Sequence, residues 1–168
     1  MSLSRPRSIA LVAGLVAAGS AACEGGAEPV GTSAASLTAA VETAGYGAIV
    51  ALVRGDEIYC SGALVGARWV LTAAHCAADP PDAVLSGSGP PAVRAFGVRS
   101  VTLHPSFDPA SLEHDLAVIE LETASEGPFA RLASRSLDAT LVGGSVRLVG
   151  FGRPEAAGSS GKKREGTG

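Results

Sequence analysis

The sequence is poor in aromatic rings, poor in cysteine and nearly free of extended basic charge. Phe, Trp and Tyr make up 4% of its 168 residues, so Ala, Val and Leu must fill any core. Three cysteines allow one pair and leave one over. No lysine or arginine lies between Arg7 and Arg54, and the net charge is −3. The one basic cluster, Lys162-Lys163-Arg164, reads as a solvated loop, and no nucleic-acid partner is expected. There is no internal repeat and no sign of a helical domain.

What is present favours strands. Apolar residues reach 46%, enough for a packed core in one domain or in one domain and part of a second. Glycine is frequent (22 residues) and short β-type runs recur, which points to an all-β fold.

The N-terminus reads as an export signal over residues 1–22. Arg5 and Arg7 form a positive start, and Ile9 to Ala18 is an apolar run too short to span a bilayer comfortably. Ser20-Ala21-Ala22 then supplies small residues before Cys23. Two outcomes stay open: ordinary cleavage, or cleavage just before Cys23 with lipidation of that cysteine and membrane anchoring through it. Either route takes the mature protein out of the cytoplasm, where disulfides persist.

Residues 23–45 are rich in Gly, Ala, Ser, Thr and Pro and read as a flexible linker, with a weak helix over Ser36 to Thr43 as an option. Strands are expected at Ala48 to Arg54, Ile58 to Val65, Trp69 to Ala73, Ala83 to Ser86, Ala92 to Leu103 and Leu116 to Leu121. A short helical turn is expected over Ala74 to Ala78, before the Asp79-Pro80-Pro81-Asp82 breaker. His104-Pro105 opens a loop that lasts to about His114. Six strands with short turns predict a small closed barrel over residues 46–125. Residues 126–168 form a connector and one last strand, Ser145 to Phe151. Trp69 is expected in the core, and Glu113, Glu120 and Glu122 at solvated strand edges.

His75 and Asp115 carry the chemistry. They are 40 residues apart in the order histidine then aspartate, each at the edge of an apolar strand. That order is one of those known for a Ser-His-Asp triad, in which the acid orients the imidazole and the imidazole moves the nucleophile's proton. A zinc site built from His75, Cys76, His104 and His114 is not supported, because no short metal-ligand spacing occurs. No metal or cofactor is expected.

The motifs resemble those of the chymotrypsin/trypsin-like serine proteases from about Tyr46 to Gly168. Cys60-Ser61-Gly62-Ala63-Leu64-Val65 resembles the family's first half-cystine strand, and Trp69 to Cys76 its histidine motif. His104-Pro105-Ser106-Phe107 and His114 to Leu121 resemble the loop and strand bearing the aspartate. Leu148-Val149-Gly150-Phe151-Gly152 resembles the strand that opens the second barrel. The resemblance implies a Cys60–Cys76 disulfide, worth ~3 kcal/mol in the chain-entropy model, with Cys23 left over. It also implies His75 as general base, Asp115 as its orienting acid, and a polypeptide substrate for the full enzyme. The implied fold is the N-terminal antiparallel barrel of a two-barrel protein, with only the opening strand of the second.

Departures from the family pattern set the functional expectation. Sixteen residues follow Gly152, and no Gly-Asp-Ser-Gly-Gly occurs among them. Ser159-Ser160-Gly161 lacks the preceding Asp and the second Gly and reads as a flexible loop. Pro29 precedes Val30-Gly31, and no basic residue marks an activation cleavage. The expected product is a fragment with the His and Asp of a serine endopeptidase but not the Ser, inactive alone, since loss of the serine costs about 10⁶ in turnover. The alternative is a non-catalytic exported or lipid-anchored module that binds through its barrel surface.

Overall fold

A computed structural model of the chain describes residues 40–89, 92–134, 142–152 and 161–167. The expected signal segment, Cys23, Val30-Gly31 and Ser159-Ser160 lie outside these residues. Six strands close into an antiparallel barrel: β2 (Ile49–Arg54), β3 (Glu57–Gly66), β4 (Trp69–Thr72), β5 (Ala83–Gly89), β6 (Ala92–Leu103) and β7 (Ala117–Leu121). Their order around the barrel is β2-β3-β4-β7-β6-β5, with β5 pairing back onto β2. Each corresponds to an expected strand.

Alternation explains why these segments close. In β2, Val50 and Leu52 are buried; in β4, Val70 and Thr72; in β7, Ile119 and Leu121. The apolar ones among these form one contiguous cluster with Leu64, Val84, Phe96 and Cys76. A period of two sends one face of each strand inward, and closure buries all six faces together. Register shifts at Leu52/Val53, Leu64/Gly66, Gly87/Gly89 and Val98/Ser100 provide the local bends that a small barrel requires.

The same alternation corrects one expectation. Trp69 is 47% exposed rather than in the core. It precedes the inward Val70, so its ring lies on the outer face against Gly66. The core instead uses Phe96 as its large ring, in keeping with the low aromatic content.

Gly62 illustrates how tightly β3 lies over β4. A Cβ there would stand 2.7 Å from Val70 Cγ1 and 3.2 Å from the Leu71 carbonyl oxygen. Gly62→Ala is therefore expected to destabilise the fold by about 1–3 kcal/mol through overpacking. A lower urea midpoint at unchanged m-value is the readout; an unchanged midpoint would mean that the strands separate at little cost.

Beyond the barrel, three strands form a second, unclosed sheet in the order β1-β9-β8: β1 (Val41–Glu42), β8 (Arg147–Gly150) and β9 (Arg164–Thr167). The all-β fold holds, but the second sheet has more than an opening strand. The segment read as linker and weak helix contributes β1, and the basic cluster read as solvated leads into β9. Lys163 is 1% exposed. Its Nζ donates to the carbonyls of Tyr46 (3.0 Å) and Gly45 (3.3 Å) and lies 5.6 Å from the centre of the Phe151 ring. Burial holds its amine below the ordinary lysine range.

The main chain explains why this lysine turns inward. Thr43 N–H donates to Lys163 O, and Lys163 N–H donates to Ser88 O, both at 3.0 Å. The backbone of Lys163 thus bridges the segment after β1 and the end of β5. Of the flanking charges, Lys162 stays exposed and Arg164 is buried, and both pair with Glu42. On the other side, Phe151 N–H donates to Ser61 Oγ at 2.8 Å, tying the residue after β8 to β3.

Candidate active site

Strand register brings the two expected residues together. β4 and β7 are antiparallel neighbours with Thr72 opposite Ala117. The chain leaving β4 after Thr72 and the chain entering β7 before Ala117 therefore meet at one end of the barrel. His75 is three residues beyond the first point and Asp115 two residues before the second. Ala73, in an extended conformation, turns the chain into a single helical turn, α1 (Ala74–Ala77), which carries His75.

That turn is seated from below and from the side. Ala74 and Ala77 pack on Ala117, with Val101, Leu103 and Phe107 around them. Three alanines let the turn approach the barrel closely, a contact that larger side chains would hold apart. The Cys60–Cys76 disulfide then joins the residue after His75 to β3, across sixteen positions of sequence.

Asp115 holds His75 at two points. Its Oδ1 accepts the His75 main-chain N–H at 2.8 Å, and its Oδ2 lies 2.6 Å from His75 Nδ1. The first bond also satisfies a donor at the N-terminal end of the helical turn, where four main-chain N–H groups have no partner within the helix. A carboxylate so placed assigns the proton to Nδ1 and leaves Nε2 as the basic nitrogen. Partial burial works against ionisation of Asp115. The N–H and ring of His75, the imidazole's charge and the Ala74 N–H outweigh it, and the carboxyl titrates below its ordinary value.

The loop delivering Asp115 is bent through two unusual main-chain conformations. Leu112 (φ 57°) and His114 (φ 53°) both lie in the left-handed region, which side chains other than glycine's rarely adopt. Leu116 N–H donates to His114 O, and His104 N–H to Leu116 O, so the loop is clamped on either side of Asp115. The rings of His104 and His114 stack, with centroids 4.9 Å apart and planes at 12°. The sequence offered no support for these histidines as zinc ligands; in the structure their rings stack within the loop.

Among the described residues, one group of side chains has the spacing of a metal site: Cys60, His75 and Cys76, with one donor atom from each within 4.8 Å. Both sulfurs belong to the disulfide, so neither is a thiolate, and the donor set does not suit a metal. The positioning donors missed by sequence reading are the main-chain N–H groups of Ala74 and His75. Their signal was available, since any residue starting a helical turn offers such donors.

A closed antiparallel barrel that presents a carboxylate-oriented imidazole at one end, followed by an open second sheet, is consistent with part of a two-barrel fold. The sequence model of the trypsin family matches residues 38–167. The chain belongs to the trypsin family. It is 39% identical over 90 residues to human serine protease 56, covering 49% of this chain and 15% of that protein. It is 34% identical over 123 residues to rat transmembrane protease serine 9, covering 66% and 11% respectively.

Among solved structures, the Vibrio cholerae VesB protease is similar at 26% identity with a TM-score of 0.63, over 76% of this chain and 43% of that one. Mouse neuropsin, a serine protease, shares the fold at 23% identity with a TM-score of 0.67, over 77% and 62%. The chain thus spans about one seventh of the length of the human relative and less than half of the VesB structure.

Proposed function

We propose that this chain supplies the general base and orienting acid of a trypsin-like serine endopeptidase acting outside the cytoplasm. His75 Nε2 takes the proton from a serine nucleophile and returns it to the leaving amine, while Asp115 fixes the tautomer and stabilises the imidazolium. The observation that carries this reading is the two-point grip of Asp115 on His75, through main chain and ring. A merely structural ion pair has no need to fix both the ring and the turn beneath it. Export is supported by the signal-like leader and by a disulfide beside the imidazole.

The serine and its oxyanion donors belong to a Gly-Asp-Ser-Gly-Gly segment that these 168 residues do not contain. The 168-residue chain is accordingly expected neither to hydrolyse peptide substrates nor to react with a fluorophosphonate probe. A longer product that includes such a segment is expected to do both, and to lose hydrolysis on His75→Ala. Probe labelling of the 168-residue chain, or full activity of the His75→Ala product, would overturn the assignment.

One observation favours a second reading, a protease-like module that binds without catalysis. β8 is paired with β9 and the sheet is tied to the barrel through Lys163 and Ser61. The chain therefore has more internal support than one dangling strand would give. Cooperative unfolding of a soluble 168-residue monomer, with no serine segment encoded downstream, would select this reading.

A further inference from the structure

Cys76 is held twice by consecutive residues of β3. Cys60 bonds to its sulfur, and the neighbouring Tyr59 hydroxyl donates to its carbonyl oxygen at 2.8 Å. That carbonyl lies near the C-terminal end of the turn carrying His75, where helical carbonyls have no N–H donor from within the helix. Tyr59 is itself fixed. The Arg54 guanidinium sits 4.5 Å over its ring and donates to its hydroxyl at 3.4 Å. Arg54 is held in turn by the Asp79 carboxylate at 3.1 Å and by the Asp79 carbonyl oxygen. At the same end, Asp82 accepts the Gly55 N–H at 2.7 Å and so pins the β2–β3 hairpin tip.

We propose that Tyr59 is a positioning residue for His75: its hydroxyl, braced by Arg54 and Asp79, fixes the helical turn that aims the imidazole at Asp115. Asp115 grips the start of the turn and Tyr59 its end, so the turn is held against rotation about either point alone. The disulfide limits how far Cys76 strays, but a bond through a flexible side chain does not orient a carbonyl. A hydrogen bond to that carbonyl does. Burial raises the phenol above its ordinary titration range, so the O–H remains a donor through neutral pH. The functional value of this role rests on the hydrolase reading; the geometric claim does not.

The test is hydrogen exchange on the oxidised 168-residue chain, which needs no serine. In Tyr59→Phe the ring and its packing remain while the donor is lost. The His75 main-chain N–H, which donates to Asp115, is expected to exchange about tenfold faster, the scale of one lost hydrogen bond to a part-buried carbonyl. The Ile119 N–H in the barrel reports global stability and is expected to change by a smaller factor. Arg54→Met, which keeps an apolar stem over the ring but removes the charge, is expected to produce a lesser change in the same direction. Equal acceleration at His75 and Ile119 would show that Tyr59 is only a packing residue. An unchanged His75 rate would show that the disulfide suffices. A loss of hydrolysis in the longer enzyme without altered exchange would also refute this role while leaving the hydrolase reading intact.

Discussion

Asp115→Asn, introduced into a product that carries the serine segment, is expected to lower kcat about ten-thousandfold with little change in KM, the size that trypsin-type triads show for this exchange. The geometry explains so large an effect from one atom. Besides the Ala74 N–H, Asp115 receives two donors from His75, the main-chain N–H on Oδ1 and the ring on Oδ2. An asparagine has one acceptor oxygen and one donor NH₂ in the same places. The main-chain N–H can only donate, so it keeps the oxygen, and the NH₂ is turned towards Nδ1. The ring must then present a lone pair at Nδ1 and carry its proton on Nε2, where it no longer accepts one from a nucleophile. Nitrogen-15 NMR of the 168-residue chain reads this tautomer exchange directly. Steady-state kinetics of the longer product reads its consequence. Retention of the Nδ1–H tautomer in the variant would remove the basis of the prediction.

Replacing both Cys60 and Cys76 by serine is expected to cost about 3 kcal/mol of folding stability, more than a hundredfold in the folded-to-unfolded ratio. The bridge spans sixteen positions of sequence and encloses the β3–β4 hairpin together with α1. Without it the unfolded chain regains the freedom of that loop, and Cys76 leaves a polar hydroxyl in the barrel cluster. Urea denaturation of the double variant, compared with the parent under oxidising and reducing conditions, gives the number. Parent protein in reductant should fall towards the variant. A midpoint unaffected by both treatments would show that the barrel core alone carries the turn.

The barrel was legible because its signal is periodic. Strands such as β4 and β7 alternate inward and outward residues, β2 is a short apolar run, and short turns leave few ways to join six such segments. The His75–Asp115 pair was legible from its motif, and the Thr72–Ala117 register supplies the physical reason that the two side chains meet. Trp69 was misread because aromatic character was allowed to outweigh phase: the ring sits one residue off the inward face. β1 and β9 were missed because a two-residue strand and the polar Arg-Glu-Gly-Thr segment carry no hydrophobic period. Lys163 was read by its charge, whereas its place is decided by two carbonyls 117 and 118 residues away in sequence. Tyr59 was invisible for a similar reason, since nothing local announces that a phenol will reach the carbonyl of Cys76.

The central position of β9 bears on the order of events during synthesis. The barrel strands are contiguous in sequence, so this part of the protein can close once Leu121 has cleared the ribosome. β1 is made before any of them, yet its partner is β9, with Glu42 opposite Arg164. The earliest described strand therefore waits for the latest. Its pairing closes a loop of more than a hundred residues, the slow kind of contact to form. While β9 is still unmade, β1 and β8 both lack the strand that lies between them in the finished sheet. A nascent chain stalled between Leu121 and Arg164 would thus hold a finished barrel with a free leading strand, open to proteases at residues 41–46 until the final segment arrives.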